Sequence, residues 1–142
     1  MRTGVRLAID VGSVRIGVAR SDPGGLMAVP LDAISANDLA FTAVSGLVDE
    51  YEAIEVVVGL PLSMDGTEGR AAGLARGWAE RLSAALAVPV RLVDERLTTV
   101  QAQRGLHAAG RSVKSSRGMI DSASAVILLQ SDLDAERAKG SA

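Results

Sequence analysis

The chain has 142 residues and a net charge of −2, with 48% apolar and 23% charged side chains, the proportions of one globular domain rather than a disordered segment. It contains no cysteine and a single histidine, His107, which excludes disulfides, zinc–thiolate and iron–sulfur sites, thiol nucleophiles and a two-histidine metal site within one chain. Aromatic residues make up only 2% (Phe41, Tyr51, Trp78), which argues against reading single strands on a platform of stacked bases.

Taken in order, Val5 to Val11 is rich in β-branched residues and predicts a strand that carries one acidic residue, Asp10. Gly12 to Val14 makes a turn, Arg15 to Ser21 a second strand, and Asp22-Pro23-Gly24-Gly25 a second turn. Leu26 to Ile34 predicts a third strand, in which Pro30 marks an edge position or a bulge. Two short connections in succession imply an antiparallel meander.

The period then changes. Asn37 can cap a helix that places Ala40, Ala43, Val44, Leu47, Val48 and Tyr51 on one face. Ile54 to Leu60 suits a strand buried on both faces, and Gly59, Pro61 and Gly66 are expected to shape the turn that follows, in a loop that could also line the site, with Met64 packed. A helix over residues 68–86 carries the stripe Ala71, Ala75, Trp78, Leu82 and Leu86. Val88 to Val93 predicts a fifth strand, and Thr98 to Gln101 has capping-box spacing for a helix to about Ala109. A last helix over residues 118–136 would pack through Ile120, Ala123, Val126, Ile127 and Leu133, with the tail frayed from Arg137. The order β-β-β-α-β-α-β-α-α predicts an α/β fold: one mixed five-stranded sheet with helices on both faces, in a single domain over residues 1–142.

A carboxylate inside an apolar strand is costly unless a cation or a hydrogen-bonded partner compensates it, so Asp10 needs a purpose. Asp94-Glu95 fall where the fifth strand ends, and Asp121 near the start of the last helix. Ligands bind open α/β sheets at the carboxyl ends of the strands. If strands one and five are neighbours, Asp10 and Glu95 converge there and Asp121 reaches in from the helix. Carboxylates without histidine or cysteine form an oxygen cage for a hard cation, Mg²⁺ or Mn²⁺, of the kind that activates water for phosphodiester hydrolysis. The plainer readings are that Asp94 or Glu95 pairs with Arg91 or Arg96, and that Asp121 answers a helix dipole.

Arg104, Arg111, Lys114 and Arg117 form a basic cluster with no acidic residue between Ala102 and Ile120. Such a loop suits a phosphate backbone, and otherwise is a solvated loop. Gly12 to Gly17 is spaced G-x-x-x-x-G, but no Lys-Ser or Lys-Thr follows, so it is no P-loop. Ser63 and Ser116 have no nearby histidine to complete a triad. No run approaches the ~20 apolar residues of a membrane span, so a soluble cytoplasmic protein is expected.

Together, Ile9-Asp10-Val11-Gly12-Ser13-Val14-Arg15-Ile16-Gly17-Val18-Ala19, Gly59 to Gly69, Val93 to Thr99 and Ile120 to Ala125 resemble, in order, the blocks of the YqgF/RuvX family of RuvC-like nucleases. The resemblance implies an RNase H-like fold and a cytoplasmic, metal-dependent nuclease whose acidic residues match Asp10, Glu95 and Asp121. It also implies a role in maturing the 5′ end of pre-16S ribosomal RNA, although some members of the family are described as Holliday-junction resolvases. The basic loop of the family tends to be Lys-rich, whereas here only Lys114 is lysine.

The leading expectation is a Mg²⁺- or Mn²⁺-dependent nuclease acting on structured RNA such as pre-rRNA. Asp10, Glu95 and Asp121 would hold the metal, and Arg104, Arg111, Lys114 and Arg117 the backbone. The alternatives are a resolvase acting on four-way DNA as a dimer and a non-catalytic RNA-binding module, so the sequence leaves monomer or homodimer open. An ATP-binding protein of the actin and sugar-kinase type would need two halves of such a fold, and one Asp-Val-Gly does not supply them.

Overall fold

The computed structural model describes residues 2–98 and 122–140. Along the chain it has β1 (Arg6–Val11), β2 (Arg15–Ser21), β3 (Ala28–Ser35), α1 (Ala40–Tyr51), β4 (Glu55–Leu60), α2 (Arg70–Ala85), β5 (Val90–Asp94), a 3₁₀ turn (Glu95–Leu97) and α3 (Ala123–Gly140). The strands form one sheet in the order β3-β2-β1-β4-β5. The β1–β2 and β2–β3 pairs are antiparallel, as the short turns require, whereas β1–β4 and β4–β5 are parallel. The expected helix over residues 98–109 and the basic cluster Arg104, Arg111, Lys114 and Arg117 lie outside the described residues.

Side chains alternate across the sheet, which divides the core in two. Leu7, Ile9, Ile16, Val18, Val56 and Val58 face α1 and α2, where Val44, Val48, Trp78 and Leu82 meet them. Ala8, Ala19 and Val57 face α3, which covers them with Ala125, Val126, Leu128, Leu129 and Leu133. All six residues of β4 are buried, as the apolar run predicts for a strand covered on both faces. The small side chains on the α3 face let that helix lie close to the strands.

Several local expectations need correction. Asn37 does not cap α1: the N-cap residue is Leu39, and Asn37 Oδ1 accepts the Leu39 N–H at 2.9 Å inside the preceding turn. Ala43 and Ala71 are exposed, and α2 buries Ala72 and Ala79 in addition to Ala75, Trp78 and Leu82. The buried stripe of α3 is centred on Ala125 and Leu129 rather than on Ala123 and Ile127, which are half-buried. Its C-terminal end is not frayed, because Arg137 donates to the Gly25 carbonyl at 2.7 Å and pairs with Asp134, and the helix runs on to Gly140. Met64 is 91% exposed, so it is not a packing residue.

α3 is fixed at both ends. At its start, β3 bulges where its register against β2 shifts between Ile16 and Val18. The Ser122 hydroxyl enters that gap, accepting the Val18 N–H at 3.0 Å and donating to the Leu31 carbonyl at 2.7 Å. Toward its C-terminal end, Glu136 pairs with Arg2 and with the fully buried Arg6 of β1. Asp132 pairs with Arg91 of β5 at 2.8 Å. Between them lies the buried Glu55 of β4, which accepts from Arg2 at 2.9 Å and from Arg91 at 3.0 Å.

Burial pushes the Glu55 carboxyl up, but hydrogen bonds from Arg2 and Arg91 outweigh it and hold the group below its ordinary 4.5. A depressed native value adds stability that is present above the unfolded value and lost as pH falls through the native one. Glu55→Gln is therefore expected to cost about 1.5–3 kcal/mol at pH 7, the range for hydrogen bonds to a charged group. In urea unfolding between pH 7 and pH 3, the gap between parent and variant should close below about pH 4.5; a gap that stays constant with pH would contradict the assignment.

Candidate active site

Asp10 is the fifth residue of β1 and shares the α3 face with Ala8, two positions before it. Its neighbours across the sheet on both sides are glycines. Gly17 of β2 is its antiparallel partner, and Gly59 of β4 follows the Val58 that pairs with Ile9. The carboxylate therefore stands in a trough with no side chain on either flanking strand.

Strands one and five are not neighbours, since β4 lies between them, so direct adjacency does not bring the acids together. Glu95 reaches Asp10 by another route. β5 ends beside β4, with Gly59 opposite Val93 and Leu60 opposite Asp94, and the chain then turns into the 3₁₀ segment. From there the Glu95 side chain folds back over β4 at its one residue without a side chain. A Cβ built on Gly59 would lie 2.3 Å from Glu95 Oε1 and 3.1 Å from its Cγ and Cδ, so the carboxyl occupies the space a side chain would fill. Gly59 is thus a strand residue that opens the site, not the turn-former expected from the sequence. The available signal was a glycine inside an otherwise Val-rich strand, which marks a close approach of another group.

Asp10 and Glu95 meet as two half-buried carboxyl groups. Burial, the facing Asp10 charge and a hydrogen bond between the two carboxyls push the Glu95 group up from 4.5 to about 7. Asp94, one residue earlier, has a different role. Arg96 donates to it from its backbone N–H at 2.9 Å and from its guanidinium at 2.7 Å, which holds that carboxyl below the usual range. The same guanidinium donates to the Met64 carbonyl at 3.3 Å and ties the loop after β4 to the 3₁₀ turn. The plain ion-pair reading therefore applies to Asp94, while Glu95 turns toward Asp10.

Asp121 lies outside the described residues, but Ser122, directly after it in the chain, is anchored on β2 at Val18, next to Gly17 and one strand from Asp10. Among the described residues no group of three or more His, Asp or Glu is placed to hold a metal. The Asp10–Glu95 pair nonetheless fits a hard divalent cation. Both donors are carboxylate oxygens, and their mutual repulsion is what a bound cation relieves.

In Gly59→Ala the added methyl needs the room of a flexible side-chain end, so Glu95 swings aside while the strand remains. The expected result is a melting temperature close to the parent's, weaker Mn²⁺ binding by calorimetry, and phosphodiester cleavage down about 100-fold, as for a ~1 Å misplacement of a catalytic group. Cleavage and Mn²⁺ affinity equal to the parent's would refute the role given to Gly59.

The profile of the family described as RuvX, Holliday junction resolvase, matches residues 4–135. A relative from Streptomyces avermitilis that bears the provisional name pre-16S rRNA nuclease is 51% identical over 145 residues, covering 100% of this chain and 93% of its own. A relative of the same name from Thermobifida fusca is 52% identical, covering 96% of this chain and 91% of its own. Among solved structures, Thermus thermophilus RuvC in complex with a Holliday junction superposes with a TM-score of 0.67 at 15% identity, over 95% of this chain and 96% of that one, a likeness of fold. On the profile match and on relatives of this identity over nearly their whole length, the chain belongs to the RuvX family, with the RNase H-like fold of RuvC.

Proposed function

We propose that this chain is a divalent-cation-dependent nuclease that hydrolyses phosphodiester bonds in structured RNA, and that its substrate is the 5′ end of pre-16S ribosomal RNA. The observation that carries the reading is the Asp10–Glu95 carboxyl pair held across Gly59 at the carboxyl edge of the sheet. The provisional name carried by relatives about half identical to this chain supports the choice of RNA.

Asp10 and Glu95 would hold the cation, Mg²⁺ or Mn²⁺, with Asp121 as the third carboxylate. Such a cation, when bound, would supply Lewis-acid polarisation of the phosphate and would lower the pKa of the water that serves as nucleophile. The chain itself supplies placement. β1 fixes Asp10 within a hydrogen-bonded strand, and the 3₁₀ turn, braced by the Arg96–Asp94 contact, fixes the direction of Glu95. Gly59 gives its side of the trough to the Glu95 carboxyl, and Gly17 puts no side chain of its own beside Asp10 on the other. Arg104, Arg111, Lys114 and Arg117 would hold the backbone on either side.

The family description favours a second reading, in which the chain acts as a homodimer on four-way DNA. Symmetric cutting of a junction needs two active sites, so that reading requires a dimer.

Asp10→Asn should leave the circular-dichroism spectrum unchanged and reduce Mn²⁺-supported cleavage of a pre-16S RNA fragment by at least about 10³-fold, as expected when a charge that holds the catalytic cation is lost. A variant that cuts the fragment as fast as the parent would refute the site. Faster cutting by the parent of a four-way DNA junction than of the RNA, with a dimeric mass on the junction, would move the substrate to DNA.

A further inference from the structure

On the sheet face away from Asp10, a cleft of about 280 Å³ opens at the same carboxyl edge. Val11 and Gly12, which line it, directly follow Asp10 in the chain, so the cleft and the carboxyl pair lie on opposite sides of one strand end. Phe41 of α1 and Trp78 of α2 stack in its wall with ring centroids 5.1 Å apart, and these are two of the three aromatic residues of the whole chain. The Arg81 guanidinium lies over the Phe41 ring at 4.5 Å, and its side chain is 65% exposed. Asp38, 99% exposed, sits 3.8 Å from that guanidinium.

These features select the occupant. A volume of about 280 Å³ falls just below the ~300–1,000 Å³ typical of pockets for drug-sized ligands, which suits one nucleoside rather than a peptide or a helix. A guanidinium lying on a ring, with a large part of it in water, offers a flat surface for stacking a base. The Asp38 carboxylate beside it disfavours a phosphate but accepts the N–H groups of a base edge. The low aromatic content leaves no extended stacking platform, yet one aromatic pair lines a cleft shared with Val11 and Gly12, the residues directly after Asp10.

We propose that this cleft is a nucleobase subsite, in which one unpaired base of the substrate strand, next to the phosphate being cut, stacks on Arg81 over Phe41. The proposal rests on the nuclease reading above and deepens it, because the cleft would select substrates whose strand is unpaired beside the cleavage point. Duplex on both sides of that phosphate would leave the cleft empty.

The test uses a hairpin RNA with a single-stranded 5′ extension, either unmodified or with one abasic nucleotide at each extension position in turn. Its binding to the full chain is followed by fluorescence anisotropy in EDTA, and its cleavage in Mn²⁺ is followed in parallel. Loss of the base at one position should weaken binding to the parent about tenfold, within the range for one stacked base. Arg81→Ala should lose the same factor on unmodified RNA and become indifferent to the abasic position. Arg81→Lys, which keeps the charge but not the plane, should behave like the alanine variant.

Equal losses by Arg81→Ala on unmodified and abasic RNA would mean a phosphate contact and overturn the subsite. Unchanged RNA binding by Arg81→Ala would overturn it too, and would leave the cleft to a protein partner. A parent that cuts the RNA with no dependence on Arg81 or on any base overturns the subsite alone. A parent that binds in the base-dependent way but never cuts overturns the nuclease reading instead.

Discussion

The contact between Asp10 and Glu95 is the constraint on which the rest of this structure depends. Two carboxyl groups brought together beside a buried strand oppose folding in the absence of a cation, and the raised Glu95 value expresses that opposition. As pH rises from the ordinary 4.5 toward 7, the native state alone must hold Glu95 protonated or bear its charge, so stability is lost over that interval. A chain selected only for stability would place an apolar or amide side chain at residue 95. The arrangement is consistent with a site built to hold a cation at the expense of part of the stability of the fold.

Everything near the pair keeps it in place. Gly59 supplies the gap through which Glu95 crosses a strand, and Arg96 engages Asp94 so that the adjacent carboxylate does not compete. On the same face of the sheet as Asp10, α3 is held by the Ser122 hydroxyl in the β2–β3 bulge at one end and by the Arg2–Arg6–Glu136 and Arg91–Glu55–Asp132 contacts toward the other. A helix fixed at two points cannot slide, so the chain entering it at Ser122 has a set position relative to β2 and β1. These ion pairs, centred on the buried Arg6 and Glu55, thus set the register of α3 on the sheet as well as adding stability.

Much of the fold was legible because its elements carry clear periods. β2 over Arg15–Ser21 and the fully buried β4 followed from apolar content and turn residues alone. The order of strands was not legible, since alternation reports which face a residue takes and not which strand lies beside it. That is why the convergence of Asp10 and Glu95 was anticipated through a β1–β5 adjacency that does not exist. Gly59 was read as a turn former because a glycine before Pro61 signals a turn as strongly as it signals a close approach. The Ser122 plug could not be seen either, because it depends on a bulge in a strand pair some ninety residues away in sequence. Asp10 itself was legible from the start, as a charge among apolar neighbours.

The most direct measurement is thermal unfolding of the parent and of Glu95→Gln at pH 8, each with and without Mn²⁺. If a like-charge pair awaiting a cation is the centre of this molecule, the Gln variant melts above the parent without metal, and Mn²⁺ raises the melting temperature of the parent far more than that of the variant. A Gln variant that melts below the metal-free parent, or that gains as much from Mn²⁺ as the parent does, would contradict the account.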